Sequence, residues 1–195
     1  MKVVGITGGI GAGKSVVSQV FRILGIPVYD ADTRAKWLMN EHPEIISSVI
    51  SLFGTESYQE GRLDRAHIGK IAFHDQSLLD QLNKIVHPAV AQDFQKWYRH
   101  KTTTYVLKEA ALLVENNSYK ALDHLIVVSA PEAIRKERVL KRDPHRNPDD
   151  VKAILSRQLP EAQKLEVADH VIVNDETQLV IPQVLQVHQS LFSKQ

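Results

Sequence analysis

Gly8-Gly9-Ile10-Gly11-Ala12-Gly13-Lys14-Ser15 satisfies the pattern G-x-x-x-x-G-K-[ST], and its reading decides the fold. A short apolar run, Val3-Val4-Gly5-Ile6, leads into it. Val16, Val17, Val20, Phe21 and Leu24 follow at helical spacing, with Gly25 placed to end that helix. Glycines let the backbone take positive φ and turn its N–H groups inward around phosphate oxygens. A helix starting at Lys14 adds unpaired donors and the positive end of its dipole. In such a loop the lysine, Lys14, reaches the β- and γ-phosphates, and the Ser15 hydroxyl ligates Mg²⁺. The expectation is a nucleoside triphosphate site lying between a strand and a helix.

Working outward, four further strands are expected. They are Ile26-Pro27-Val28-Tyr29, Tyr105-Val106-Leu107, Leu125-Ile126-Val127-Val128 and His170-Val171-Ile172-Val173. Strands alternating with helices predict an α/β fold with a five-stranded parallel sheet and right-handed crossovers. Ligands bind such sheets beyond the carboxyl ends of the strands. The phosphate loop and Asp30-Ala31-Asp32 both fall there. About seventy residues separate the second and third strands, where a crossover needs only about a dozen. Their apolar spacing is helical, so residues 34–100 are read as a helical insertion, with His87-Pro88 as a kink or a new helix start. A basic segment from Arg135 to Arg146 runs into Asp143-Pro144-His145-Arg146-Asn147-Pro148, where one helix breaks and another begins at Pro148. A closing helix carries Leu179, Val180, Val184, Leu185, Val187, Leu191 and Phe192 on or near one face.

Bulk properties narrow the class. The 195 residues suffice for one domain with a substantial core, and 43% hydrophobic with 24% charged residues is ordinary globular composition. A formal net charge of +1 creates no field that would draw the chain to nucleic acid or to a membrane. The absence of cysteine excludes disulfides and thiolate–zinc sites and fits a reducing, cytoplasmic setting. Nine histidines are scattered without metal-ligand spacing. No apolar run approaches the ~20 residues of a membrane span, and no signal peptide is expected.

Several side chains are candidates for chemistry. Asp32 would aim or deprotonate an acceptor hydroxyl, or else cap a helix starting near Thr33. Asp30 would hold water on a metal ion or simply terminate its strand. Glu109, just past the third strand, would orient magnesium-bound water or stand as a solvated loop acid. Glu115 closes the apolar stretch Ala111-Leu112-Leu113-Val114. Arg138 and Arg142 share a helix face, either as lid arginines facing a transferring phosphoryl group or as a solvated helix end. His87 alone reads as a helix-start residue. The fourth strand runs into Val128-Ser129-Ala130-Pro131 and lacks the Asn-Lys-x-Asp motif of a GTPase. A kinase for another nucleoside or nucleotide, and a nucleotide-dependent switch, remain as alternative readings.

With these residues in place, the chain resembles the dephospho-CoA kinase family almost end to end. The resemblance is carried by Gly5-Ile6-Thr7-Gly8-Gly9-Ile10-Gly11-Ala12-Gly13-Lys14-Ser15, Asp30-Ala31-Asp32, Leu63-Asp64-Arg65 with Phe73, and His87-Pro88. It continues through Leu112-Leu113-Val114-Glu115, Arg138 with Arg142-Asp143, and Ala168-Asp169-His170-Val171-Ile172-Val173-Asn174. Two departures stand out: Ala111 where the family usually has proline, and Val16 where threonine is frequent. The resemblance implies one P-loop kinase domain over residues 1–195, with an acceptor-binding insertion (34–100) and a lid (138–160). It implies ATP and Mg²⁺ as phosphoryl donor and metal, and dephospho-CoA as acceptor. Gly11, Ala12, Gly13, Lys14, Ser15 and Val16 would cradle ATP, joined by Arg138 and Arg142. Asp32 would be the base, with Lys14 and Arg142 also catalytic. Arg65 and His87 would lie on the acceptor side, and Ser15 and Glu109 would serve the metal.

Overall fold

Val4, Gly5, Ile6 and Thr7 are buried in succession, as expected of a strand covered on both faces. The computed structural model describes the backbone of residues 1–193 and their side chains except at 72–74, 76 and 193, so the Phe73 side chain lies outside the described residues. The chain divides into two compact units, one formed by Met1–Asp30 with the chain from Lys101 onward, the other by Ala31–His100. The first unit opens with β1 (Lys2–Thr7), α1 (Lys14–Ile23) and β2 (Val28–Asp30). The second contains α2 (Ala31–Glu41), α3 (Pro43–Phe53), β3 (Tyr58–Gln59), β4 (Arg62–Leu63), α4 (Arg65–His74) and α5 (Gln76–Tyr98). The first then resumes with β5 (Tyr105–Glu109), β6 (His124–Ser129), α6 (Glu132–Arg142), α7 (Pro148–Ser156), α8 (Glu161–Glu166), β7 (His170–Val173) and α9 (Val180–Ser193).

The five long-range strands form one parallel sheet in the order β2-β5-β1-β6-β7, so the strand entering the glycine loop is central. Val4, Ile6, Leu107, Ile126, Val128 and Ile172 pack with Val17 and Phe21 of α1 and with Val184, Val187 and Leu191 of α9. A second cluster on Leu125 and Val127 gathers Leu113 and Val114. The second strand is shorter than expected. Ile26 and Pro27 precede it, and the Pro27 carbonyl accepts from Leu107 N. Gly25 ends α1 as expected, at φ 81°, with Gly25 N donating to Arg22 O and Ile26 N to Phe21 O. That is a Schellman closure, which needs a left-handed residue. The face expected of α9 is narrower in the fold, because Leu179 lies before the helix and Leu185 and Phe192 are exposed.

Within the second unit, α5 packs against α2, α3 and α4, and α2 against α3. Leu38, Ile45, Val49, Leu82, Val86, Val90 and Phe94 are buried. The expectation of an all-helical segment is corrected by the β3–β4 hairpin, turned at Glu60 (φ 50°) and Gly61 (φ 76°). Two consecutive positive-φ residues fit the twist of a two-residue hairpin. Two-residue strands carry no periodicity, which is why the pattern misses them. No helix starts at His87-Pro88 either: α5 runs through Pro88, at the cost of one helical N–H donor to the Lys84 carbonyl.

Candidate active site

The glycine loop is shaped by main-chain constraint. Gly13 caps α1 in the left-handed region (φ 95°), and a side chain there would collide with the Asn174 carboxamide. Gly11 (φ 80°) lies against the Arg135 backbone, so a Cβ would meet main chain that cannot yield. Lys14 Nζ donates to the Gly8 carbonyl at 2.9 Å, folding its cation back over the loop. Ser15 Oγ donates to Glu109 Oε1 at 3.3 Å.

Glu109 closes β5 and is 6% exposed, so it is no solvated loop acid. Its register partner across the β2–β5 ladder is Asp30. Burial pushes the Glu109 carboxyl above the usual carboxylate range, and the Asp30 charge adds to that. The Ser18 hydroxyl, the Lys14 charge and the Ser15 hydroxyl oppose it. Ser15, Glu109 and Asp30 thus form a set of hard oxygen donors beside the lysine of the loop. No three His, Cys, Asp or Glu side chains form a cation cage among the described residues. A cation here would therefore draw its other ligands from water and phosphate oxygens.

Because the folded-state pKa of Glu109 is raised, folding favours its protonated form. Stability from this group is present below the ordinary carboxylate pKa and falls as pH rises through the raised one. Glu109→Gln should therefore raise the thermal midpoint at neutral pH while lowering kcat by about 10- to 100-fold, the usual cost of losing a carboxylate behind a metal ligand. Melting curves and initial rates on that one variant check both signs.

Arg142 is exposed, and its Nε and Nη2 both donate to Asp143, at 3.0 and 2.9 Å, rather than to a loop residue. Arg142 and Arg146 together hold the Asp143 carboxyl at about 2. Arg138 Nη2 donates to Asn174 Oδ1 at 3.4 Å and to Glu176 Oε1 at 3.1 Å. Asn174 Nδ2 in turn donates to the Ala12 carbonyl at 2.8 Å, so Arg138 reaches the loop through Asn174. Arg135, part of the basic run but assigned no role from sequence, is buried. Its Nε donates to the Ala130 carbonyl at 3.0 Å, and its guanidinium fills the space beside Gly9. Glu115, read only as the end of an apolar stretch, pairs with Lys164 at 2.6 Å. The sequence carries no signal for these contacts: Arg135 and Lys164 stand among other polar and charged residues, and Glu115 merely follows an apolar run.

Three site candidates belong to the second unit. Asp32 is exposed in the first turn of α2, which begins at Ala31, so Asp32 is not the residue that caps it. Arg65 opens α4 directly after its cap Asp64, whose carboxylate accepts from Ala66 N and His67 N at 2.9 Å. His87 is exposed in the middle of α5 and is not a helix-start residue. The same unit carries a groove of about 460 Å³ lined in part by Arg34, Trp37, His42, Asp93 and Lys96. There Arg34 forks onto Asp93 at 2.9 and 2.6 Å and lies 4.2 Å from the Trp37 ring centroid.

A central parallel strand, a glycine loop, Lys14 and Ser15 in the first helical turn and a buried acid on the adjacent strand define a P-loop kinase. The profile of the dephospho-CoA kinase family matches residues 2–179, and the chain belongs to that family. The dephospho-CoA kinase of Porphyromonas gingivalis is 37% identical over 194 residues, covering 100% of this chain and 96% of the relative. That of Bacteroides fragilis is 33% identical over 192 residues, covering 98% and 93%. A crystal structure from Thermus thermophilus superposes with a TM-score of 0.86 at 28% identity, covering 99% of this chain and 97% of the other. The fold also matches a shikimate kinase from Acinetobacter baumannii, with a TM-score of 0.52, 15% identity and coverage of 100% and 95%.

Proposed function

We propose that this chain transfers the γ-phosphoryl group of ATP to the 3′-hydroxyl of the dephospho-CoA ribose, giving CoA and ADP, the last step of coenzyme A biosynthesis. The family match over residues 2–179 carries this reading, because it extends across both compact units and not the glycine loop alone. The acceptor oxygen bonds to the γ-phosphorus, the bond from that phosphorus to the β,γ-bridging oxygen breaks, and the hydroxyl proton leaves to a base. Asp32 is that base, and its carboxylate also aims the hydroxyl. Backbone N–H groups from Gly11 to Val16 cradle the phosphates, and Lys14 places its charge on the β- and γ-oxygens.

Mg²⁺, when bound, neutralises charge on the β- and γ-phosphates. Ser15 would hold it directly, with Asp30 and Glu109 turned toward its waters, and the oxygen-only donor set supports that choice. Residues 1–195 then act as one kinase domain in which 34–100 carry the acceptor, with Arg65 and His87 on that side. Residues 138–160 form the lid, and Arg138 and Arg142 answer to ATP. Among the described residues no helix is long and apolar enough to cross a membrane. A cytoplasmic enzyme acting on small molecules, without nucleic-acid or membrane partners, is the setting proposed.

The test is ADP release from ATP with and without dephospho-CoA. Acceptor-dependent turnover is expected, with loss on chelation of divalent cations. Slow, acceptor-independent hydrolysis would instead favour a nucleotide switch, and transfer only to other nucleosides would favour a different kinase.

A further inference from the structure

Two sides of the glycine loop are held by different parts of the chain. The Ala12 carbonyl is held by Asn174 just past β7. The other side is held by the stretch from Gln158 through α8. Gln158 Oε1 accepts from Ile10 N at 2.9 Å. The neighbouring amide, Leu159 N, donates to Glu115 Oε1 at 3.3 Å, and that same oxygen lies 2.6 Å from Lys164 Nζ. Glu161 accepts from Ala130 N at 3.1 Å and lies 3.7 Å from Arg135 Nη2, the guanidinium packed beside Gly9.

Lys164 is 2% exposed, so its pairing with Glu115 carries a desolvation cost that cancels much of the attraction. What the pair supplies is geometry. A short, buried ion pair holds Glu115 where it accepts from Leu159 N, and this fixes the residue before it. Ile10 N–H is committed to Gln158 and so is not one of the donors offered to phosphate. The bond therefore sets the shape of the loop rather than its ligand contacts.

We propose that Gln158 is a positioning residue for ATP: its side-chain oxygen fixes the phosphate loop at Ile10, and the Glu115–Lys164 pair holds Gln158 in place. Gln158 stands near the end of the 138–160 stretch, so the loop's fit to phosphate is tied to the foot of that stretch. The inference rests on the ATP site proposed above and is tested without the acceptor.

Gln158→Met keeps side-chain length and removes the accepting oxygen, whereas Gln158→Glu keeps an oxygen in the same place. ATP affinity is measured directly on the full chain with Mg²⁺, together with hydrogen exchange at the Ile10 amide and the thermal midpoint. Gln158→Met should weaken ATP about five- to tenfold, the worth of one such bond, and speed Ile10 exchange. Its KM for ATP should rise in step, while the KM for dephospho-CoA stays within about twofold. Gln158→Glu should retain Ile10 protection and bind ATP more tightly than Gln158→Met. Unchanged ATP affinity in Gln158→Met overturns the proposal. So does a fall in thermal midpoint with no loss of ATP affinity, or a Gln158→Glu variant as weak as Gln158→Met. A chain that binds ATP in this pattern but fails to phosphorylate dephospho-CoA would overturn the acceptor assignment alone.

Discussion

Lys14→Ala should reduce phosphoryl transfer by about 10²- to 10³-fold or more, the cost of removing one preorganised charge from a transition-state clamp. In the structure the Lys14 cation rests 2.9 Å from the Gly8 carbonyl, folded over the loop it would serve. The substitution removes the Lys14–Gly8 hydrogen bond but leaves the loop's glycines and its Asn174, Arg135 and Gln158 contacts in place. The variant should therefore keep its fold and still bind nucleotide weakly through backbone N–H groups. Saturating-ATP rates measured beside a circular-dichroism melt separate the two effects. Near-normal turnover would remove the phosphate-loop assignment.

Asp32→Asn should lower kcat by about 10²-fold or more while leaving stability nearly unchanged. A base that aims and deprotonates the acceptor acts in the transition state, so the loss belongs in kcat rather than in the KM for dephospho-CoA. The structural cost is small because Asp32 is exposed within the first turn of α2 and does not cap it. Asn keeps the shape of the side chain and one accepting oxygen, and gives up the favourable interaction of a negative charge with a helix N-terminus, about 0.3–1 kcal/mol. In a chain of this size that moves the midpoint by no more than about 2–4 °C. A variant that stayed active but melted well below wild type would reverse the assignment.

How much was legible in the sequence follows from the range over which each feature is encoded. The glycine loop is a local main-chain pattern, so its eight residues identify it without tertiary information. The sheet is nearly as readable, because strands buried on both faces leave continuous apolar runs such as Leu125–Val128. Glu109 marks the boundary: its position at a strand end is local, but the Ser15 and Ser18 hydroxyls that act on its carboxyl come from α1, far away in the chain. Arg135, Gln158 and Asn174 were not legible as loop supports, since each reaches the loop across more than a hundred residues. The same holds for the Glu115–Lys164 pair, where neither residue signals a buried partner. The helix cap at α2 failed for another reason: strand β2 runs directly into the helix, leaving no residue between for Asp32 to occupy as a cap.

The helical unit leaves the chain once, at Ala31, and rejoins it once, at Lys101, with its own buried centre around Leu38, Val49, Val86 and Phe94. Nothing in the hydrogen-bond ladders of the five-stranded sheet runs through it. Such an arrangement is a cassette. A segment with a single entry and a single exit can be rewritten by selection, or exchanged by protein engineers, without breaking any strand pairing of the sheet.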